Sequence, residues 1–214
     1  MNTVSEEKEI HYTSTNSYST LNTKTSKTRN IWFVCHGMGY LSRYFLKYFK
    51  SLNPEENYII APQAPSKYYQ QPKMHVGANW LTRDNTAMGM TNITRYFDAI
   101  FMSENLENAN NLIVFGYSQG VSVATRYVAQ RQIQCRKLVL HSGGIPKELE
   151  PHNFNHLSPD TEVTLIYGTA DEYLNNERIQ FEQKHAESLF GKRLETMPFD
   201  GPHVVHVDYI KTLV

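Results

Sequence analysis

A chain of 214 residues with 40% apolar and 20% charged residues fits one globular domain built on one sizeable core. Lys plus Arg and Asp plus Glu number 21 each, so no net field draws the chain to nucleic acid or to an anionic membrane surface. No stretch reaches the roughly 18 consecutive apolar residues of a membrane span, and residues 1–9 are polar, without the apolar core of a signal peptide.

Residues 1–29 read as a polar leader. Its part 10–29, rich in Thr, Ser, Asn and Tyr, is open to two readings: an edge hairpin or an unstructured segment. The domain, residues 30–214, begins with Ile31-Trp32-Phe33-Val34-Cys35, a continuous apolar run of the kind a strand buried on both faces requires. Helical spacing of Leu41, Tyr44, Phe45, Tyr48, Phe49 and Leu52 predicts a helix over 41–52, stopped before Pro54. A short strand over 58–61 leads into the rigid Pro62-Gln63-Ala64-Pro65. Residues 66–87 then read as a long irregular loop carrying Tyr68, Tyr69, Met74 and Trp80, and loops of that length are usually functional.

Beyond it the pattern predicts a helix over 89–105, a strand over 112–116 and a helix after Ser118 with Val121, Ala124 and Val128 on one stripe. Strands over 137–141 and 163–167, a helix over 175–190, a strand over 193–198 and a short helix over 204–213 complete the chain. Alternation of strands and helices implies a mostly parallel sheet covered on both faces, with no insertion large enough for a lid domain. The two cysteines, Cys35 and Cys135, fall in or beside buried strands and read as reduced core residues, which suits a cytoplasmic protein.

Gly116-Tyr117-Ser118-Gln119-Gly120 joins a strand directly to a helix. Small residues two positions either side of Ser118 let strand and helix approach, and the turn exposes a hydroxyl near a helix N-terminus. A serine hydroxyl needs a base, and the base needs an orienting acid. Loops after later strands provide Asp171, in Gly168-Thr169-Ala170-Asp171, and His203, in Gly201-Pro202-His203, in the order serine, acid, histidine. Glu172, Asp160 and Asp200 compete for the acid role; Asp171 fits best because it follows the glycine turn out of a strand. The oxyanion donors are expected at the N–H of Gln119 and at that of Met38 in His36-Gly37-Met38-Gly39, with Gly37 as the alternative to Met38. Met38, Tyr68, Tyr69, Met74 and Trp80 are expected to line the acyl pocket, the alternative being that Trp80 and the tyrosines pack the loop onto the core. His141, at the end of a strand, is expected in the wall of the site. His203-x-x-His206 has the spacing of a metal pair but lacks a third ligand, and the chemistry calls for no metal or cofactor.

Together these residues resemble the α/β-hydrolase superfamily, and within it the phospholipase/carboxylesterase group that includes acyl-protein thioesterases. The matching pieces are His36-Gly37-Met38-Gly39, Ala61-Pro62-Gln63-Ala64-Pro65, Trp80, Gly116-Tyr117-Ser118-Gln119-Gly120, Gly168-Thr169-Ala170-Asp171 and Gly201-Pro202-His203. The resemblance implies an α/β-hydrolase fold, a Ser118–His203–Asp171 triad and an oxyanion hole at Met38 and Gln119; the absence of a lid domain and the aromatic loop point to esters or thioesters of short to medium acyl chains as substrates. Val121, Tyr40 and the tyrosine-rich 66–80 depart from the family pattern, so a particular substrate does not carry over. A peptidase, a lactone hydrolase or a catalytically silent binding protein would use the same framework. Oligomeric state is not written in the sequence.

Overall fold

In the computed structural model, which describes residues 5–107, 109 and 111–214, the apolar runs become strands and the periodic stretches become helices. The first half contains β1 (Tyr18–Leu21), β2 (Asn30–Cys35), α1 (Ser42–Phe45), β3 (Asn57–Pro62), β4 (Ser66–Gln70), β5 (His75–Asn79) and α2 (Thr86–Glu104). The second half contains β6 (Leu112–Tyr117), α3 (Gln119–Arg131), β7 (Lys137–His141), β8 (Glu162–Gly168), α4 (Asn176–Phe190), β9 (Leu194–Phe199) and α5 (Val207–Thr212).

Among the described residues, seven strands form one sheet in the order β1-β3-β2-β6-β7-β8-β9. Only β1 runs antiparallel to its neighbour; the other pairs are parallel. Side-chain alternation divides the core into two layers. Phe33, Cys35, Val114, Leu138 and Leu165 face α2, α3 and α4, meeting Phe97, Phe101, Val121, Ala124 and Val128. Trp32, Val34, Ile113, Phe115 and Val139 face the opposite way, against Phe45 and Phe49 on one side and Ile210 of α5 on the other. This is the α/β-hydrolase architecture without a large insertion. No helix of the described residues is long and apolar enough to cross a membrane.

The structure departs from the sequence reading at four places. The leader provides a single edge strand, β1, rather than a hairpin; residues 1–4 of that leader lie outside the described residues. Hydrogen bonds tie β1 down: Tyr18 Oη donates to Glu104 Oε1 at 2.8 Å, and Tyr96 Oη donates to Ser17 O at 2.6 Å. Residues 66–79 are not irregular but form an antiparallel hairpin, β4–β5, outside the main sheet. Its first strand buries no side chain, so it carries no alternating apolar signal. The helix expected over 41–52 is one α-turn followed by a 3₁₀ turn over Leu46–Phe49. The last helix starts at Val207 because His206 caps it, its Nδ1 accepting from Tyr209 N–H.

Candidate active site

β6 ends at Tyr117 and α3 begins at Gln119, leaving Ser118 alone to turn the chain. Its backbone has φ +52° and ψ −121°, a region that costs a non-glycine residue about 1–3 kcal/mol. Flanking glycines make the turn possible. A Cβ at Gly116 would fall 2.5 Å from Val121 Cα, and one at Gly120 would overlap the Cys35 carbonyl oxygen. Close approach, not surface placement, therefore explains both glycines.

The turn aims Ser118 Oγ at His203 Nε2, 3.0 Å away, and His203 Nδ1 donates to Asp171 Oδ2 at 2.6 Å. The second Asp171 oxygen, Oδ1, accepts the N–H groups of Tyr173 and Leu174 at 2.8 and 3.0 Å. Asp171 is buried and locked by these three donors. Glu172, the competing acid, is exposed and accepts only the His203 backbone N–H from that loop, at 3.1 Å. Hydrogen bonds from its own backbone N–H and from that of His203 hold its carboxyl below the usual range.

The loop bearing His203 is pinned from several sides. Tyr117 Oη donates to His203 O at 3.0 Å, and His206 N–H donates to His141 Nε2 at 2.9 Å. His141 is fully buried, and burial lowers its pKa to about 3, so it stays neutral; its Nδ1 faces Ser142 Oγ at 3.0 Å. It is thus a latch beneath the site rather than part of an exposed wall. His206 spends Nδ1 on the α5 cap while His203 is engaged by Ser118 and Asp171, so the two do not form a metal pair.

His36-Gly37-Met38-Gly39 lies against the turn: a Cβ at Gly37 would come within 3.1 Å of Ser118 Cβ. The buried His36 accepts Ala64 N–H at Nε2 (3.2 Å) and donates from Nδ1 to Gly37 O (2.8 Å), which fixes a neutral tautomer. Burial pushes its pKa down to about 4. Hairpin β4–β5 braces the loop. Gly39 N–H donates to Ala78 O at 2.8 Å, Gln70 Nε2 to Gly39 O at 2.8 Å, and Trp80 Nε1 to His36 O at 2.7 Å. Gln119 joins brace to turn: its Oε1 accepts Trp80 N–H at 2.9 Å, and its Nε2 donates to Asn79 Oδ1 and Leu81 O at 2.5 and 2.8 Å. Among the described residues, the N–H groups of Met38 and Gln119 have no acceptor, the condition for receiving an anionic oxygen.

The residues predicted to touch substrate separate into two sets. Met38, Tyr68, Tyr69 and Met74 are exposed around the loop and hairpin. Trp80, only 2% exposed, packs edge-on against Phe97 at 5.6 Å and serves the brace. Adjacent Cys35 and His36 point to opposite faces; burial raises the Cys35 thiol pKa far above its normal value, which leaves it inert. Sequence reasoning missed the bracing glutamines, Gln70 and the side chain of Gln119. Gln119 at least sits inside a glycine turn, whereas nothing in the sequence around Gln70 marks it.

The sequence model of the phospholipase/carboxylesterase family matches residues 16–208. No curated protein sequence matches the chain. Acyl-protein thioesterase 2 of Zea mays superposes with a TM-score of 0.69 at 16% identity, over 93% of this chain and 96% of that one. A phospholipase/carboxylesterase of Dyadobacter fermentans gives 0.66 at 16% identity over 95% and 96%. Esterase PE8 gives 0.68 at 17% identity over 92% and 97%. At these identities the structural likeness is one of fold.

Proposed function

The chain belongs to the phospholipase/carboxylesterase family, and from that premise we propose that it hydrolyses carboxylic esters or thioesters of short to medium acyl chains through an acyl-enzyme on Ser118. The observation that carries this reading is the continuous chain from Ser118 Oγ through His203 to the buried Asp171. His203 Nε2 takes the Ser118 proton as Oγ attacks the acyl carbon. The tetrahedral oxyanion rests on the N–H groups of Met38 and Gln119, where losing one donor typically costs about 2.7–4 kcal/mol. Protonated His203 gives its proton to the departing alkoxide or thiolate, leaving the acyl group on Ser118. A water deprotonated by His203 then attacks the acyl-enzyme, releasing the carboxylic acid and restoring Ser118. Asp171 keeps the proton of His203 on Nδ1 and stabilises the imidazolium. None of these steps requires a metal or cofactor.

The acyl chain runs along the apolar rim of Met38, Tyr68, Tyr69 and Met74. Their exposure, 39–64%, suits a short chain better than a long one. Thioesters stand beside esters because the fold is shared with a thioesterase. The unpaired, buried Cys35 and Cys135 fit a reducing, cytoplasmic setting.

Fluorophosphonate labelling tests the reading: one adduct, on Ser118, is expected on the wild type and none on Ser118→Ala. No adduct on the wild type, or an equal one on the variant, would end it. Matched ester, thioester, lactone and amide substrates follow; turnover of amides or lactones alone would select a peptidase or lactone hydrolase instead. Among p-nitrophenyl esters, a rate maximum at dodecanoyl or longer would refute the chain-length preference.

A further inference from the structure

The imidazole of His203 lies between two tyrosines of opposite character. Tyr117 is buried, with its ring centroid 5.2 Å from that of His203 at 35°, and its hydroxyl is bound to the His203 carbonyl. Tyr173 meets the same imidazole edge-on at 4.8 Å and 70°, yet 73% of it is exposed. Its backbone is not free to drift, because its N–H donates to Asp171 Oδ1 at 2.8 Å. An aromatic ring is therefore held in solvent against the histidine by the very acid that orients that histidine. Exposure at this level stabilises the fold little, so the ring's position calls for another explanation.

We propose that Tyr173 is the binding platform for the leaving group and that it favours uncharged aryl alcohols or aryl thiols. The inference rests on the esterase reading. In that reaction His203 Nε2 protonates the leaving atom, which must come within about 2.6–3.2 Å of it. Whatever the leaving atom carries then extends past the imidazole, and the exposed Tyr173 ring, 4.8 Å from that imidazole, lies within its reach. A flat apolar group gains an aromatic contact there, and a methyl or ethyl group is too small to reach it. Glu172, ionised and bonded to the His203 N–H, puts negative charge on the same side, which disfavours anionic leaving groups. The acyl group lies elsewhere, toward Gly37 and the hairpin, and is indifferent to Tyr173.

The test compares 2-naphthyl and methyl esters of one acid in wild type, Tyr173→Ala and Tyr173→Phe. Taking each variant-to-wild-type ratio of kcat/KM cancels the intrinsic reactivity of the ester. Tyr173→Ala is expected to lose about 2- to 10-fold on the naphthyl ester, with a clearly smaller loss on the methyl ester, while Tyr173→Phe keeps the naphthyl rate. Deacylation of the shared acyl-enzyme, followed in a single turnover, distinguishes binding from mere support of His203. The leaving group has gone by then, so a platform leaves this rate unaffected by Tyr173→Ala. Equal losses on the two esters, or deacylation slowed as much as acylation, would overturn the proposal. Failure of the wild type to form any acyl-enzyme on Ser118 would instead overturn the esterase reading, and the platform with it.

Discussion

Asp171→Asn separates the role of this acid from its place in the fold. In the structure Oδ1 accepts two backbone N–H groups, those of Tyr173 and Leu174, while Oδ2 faces His203 Nδ1. An asparagine at 171 must keep its carbonyl oxygen where Oδ1 stands, since an amide NH₂ there would meet two donors. Its NH₂ then points at His203 Nδ1, which can only accept. The imidazole proton moves to Nε2, the atom that has to receive the Ser118 proton, and general-base catalysis stops. Loss of the correct tautomer in a serine triad costs about 10⁴ in kcat, close to 5.4 kcal/mol. Stability changes far less. Two charge-assisted bonds become neutral ones, a cost of about 1 kcal/mol, or about 2–4 °C in Tm for a chain of this length. Steady-state hydrolysis of p-nitrophenyl butyrate and a thermal melt measure both quantities. Glu172→Gln is the companion variant, expected to stay within about threefold because the exposed Glu172 carboxylate accepts only backbone N–H groups, its own and that of His203. Activity of Asp171→Asn within tenfold of wild type, or an equal collapse in Glu172→Gln, would refute the assignment of the acid.

Gln119→Ala removes three hydrogen bonds that tie hairpin β4–β5 to the turn; kcat is expected to fall about tenfold with KM within twofold, as when oxyanion donors lose their alignment, and an unchanged kcat would show that the brace is dispensable. Gly120→Ala forces a Cβ into the Cys35 carbonyl and must part α3 from the end of β2; urea unfolding should register a loss of about 1–3 kcal/mol, and a loss under about 0.5 kcal/mol refutes the close approach. The buried histidines set the acid limb of stability. His36 and His141, with pKa values near 4 and 3, stay neutral in the fold after their unfolded counterparts begin to protonate near pH 6.5. Stability is thus intact above pH 6.5 and falls as pH drops toward the folded values. By pH 5.5 the two together cost about 3 kcal/mol, or about 6–11 °C in Tm; a Tm that holds steady between pH 7 and 5.5 refutes their burial as neutral groups.

The parallel sheet, the turn at Ser118 and the order serine, acid, histidine were legible in the sequence because each rests on local chemistry. Strands buried on both faces must be apolar throughout, and a strand-to-helix turn this tight must have glycine at 116 and 120. Hairpin β4–β5 was not legible. Ser66–Gln70 bury no side chain, so no periodicity marks them, and what anchors the hairpin, through Gln70 and Ala78, is the backbone of Gly39, distant in the chain. The edge strand β1 was legible only as one of two readings of residues 10–29, since its place depends on β3 and on Glu104 and Tyr96 of α2.

For the site, the sequence by itself marked the candidates: a serine in an exposed turn, an acid and a histidine after later strands, and a glycine loop able to turn a backbone N–H inward. Tertiary structure alone decided how they are held. It set Asp171, which the sequence already favoured, apart from Glu172 by burying one and exposing the other, since a buried carboxylate must find donors and an exposed one need not. It moved Trp80 from the rim into the brace, turned His141 from a wall into a latch, and set Tyr173 against His203. Contacts among residues far apart in sequence carry these outcomes, and only the folded chain brings such residues within hydrogen-bond reach.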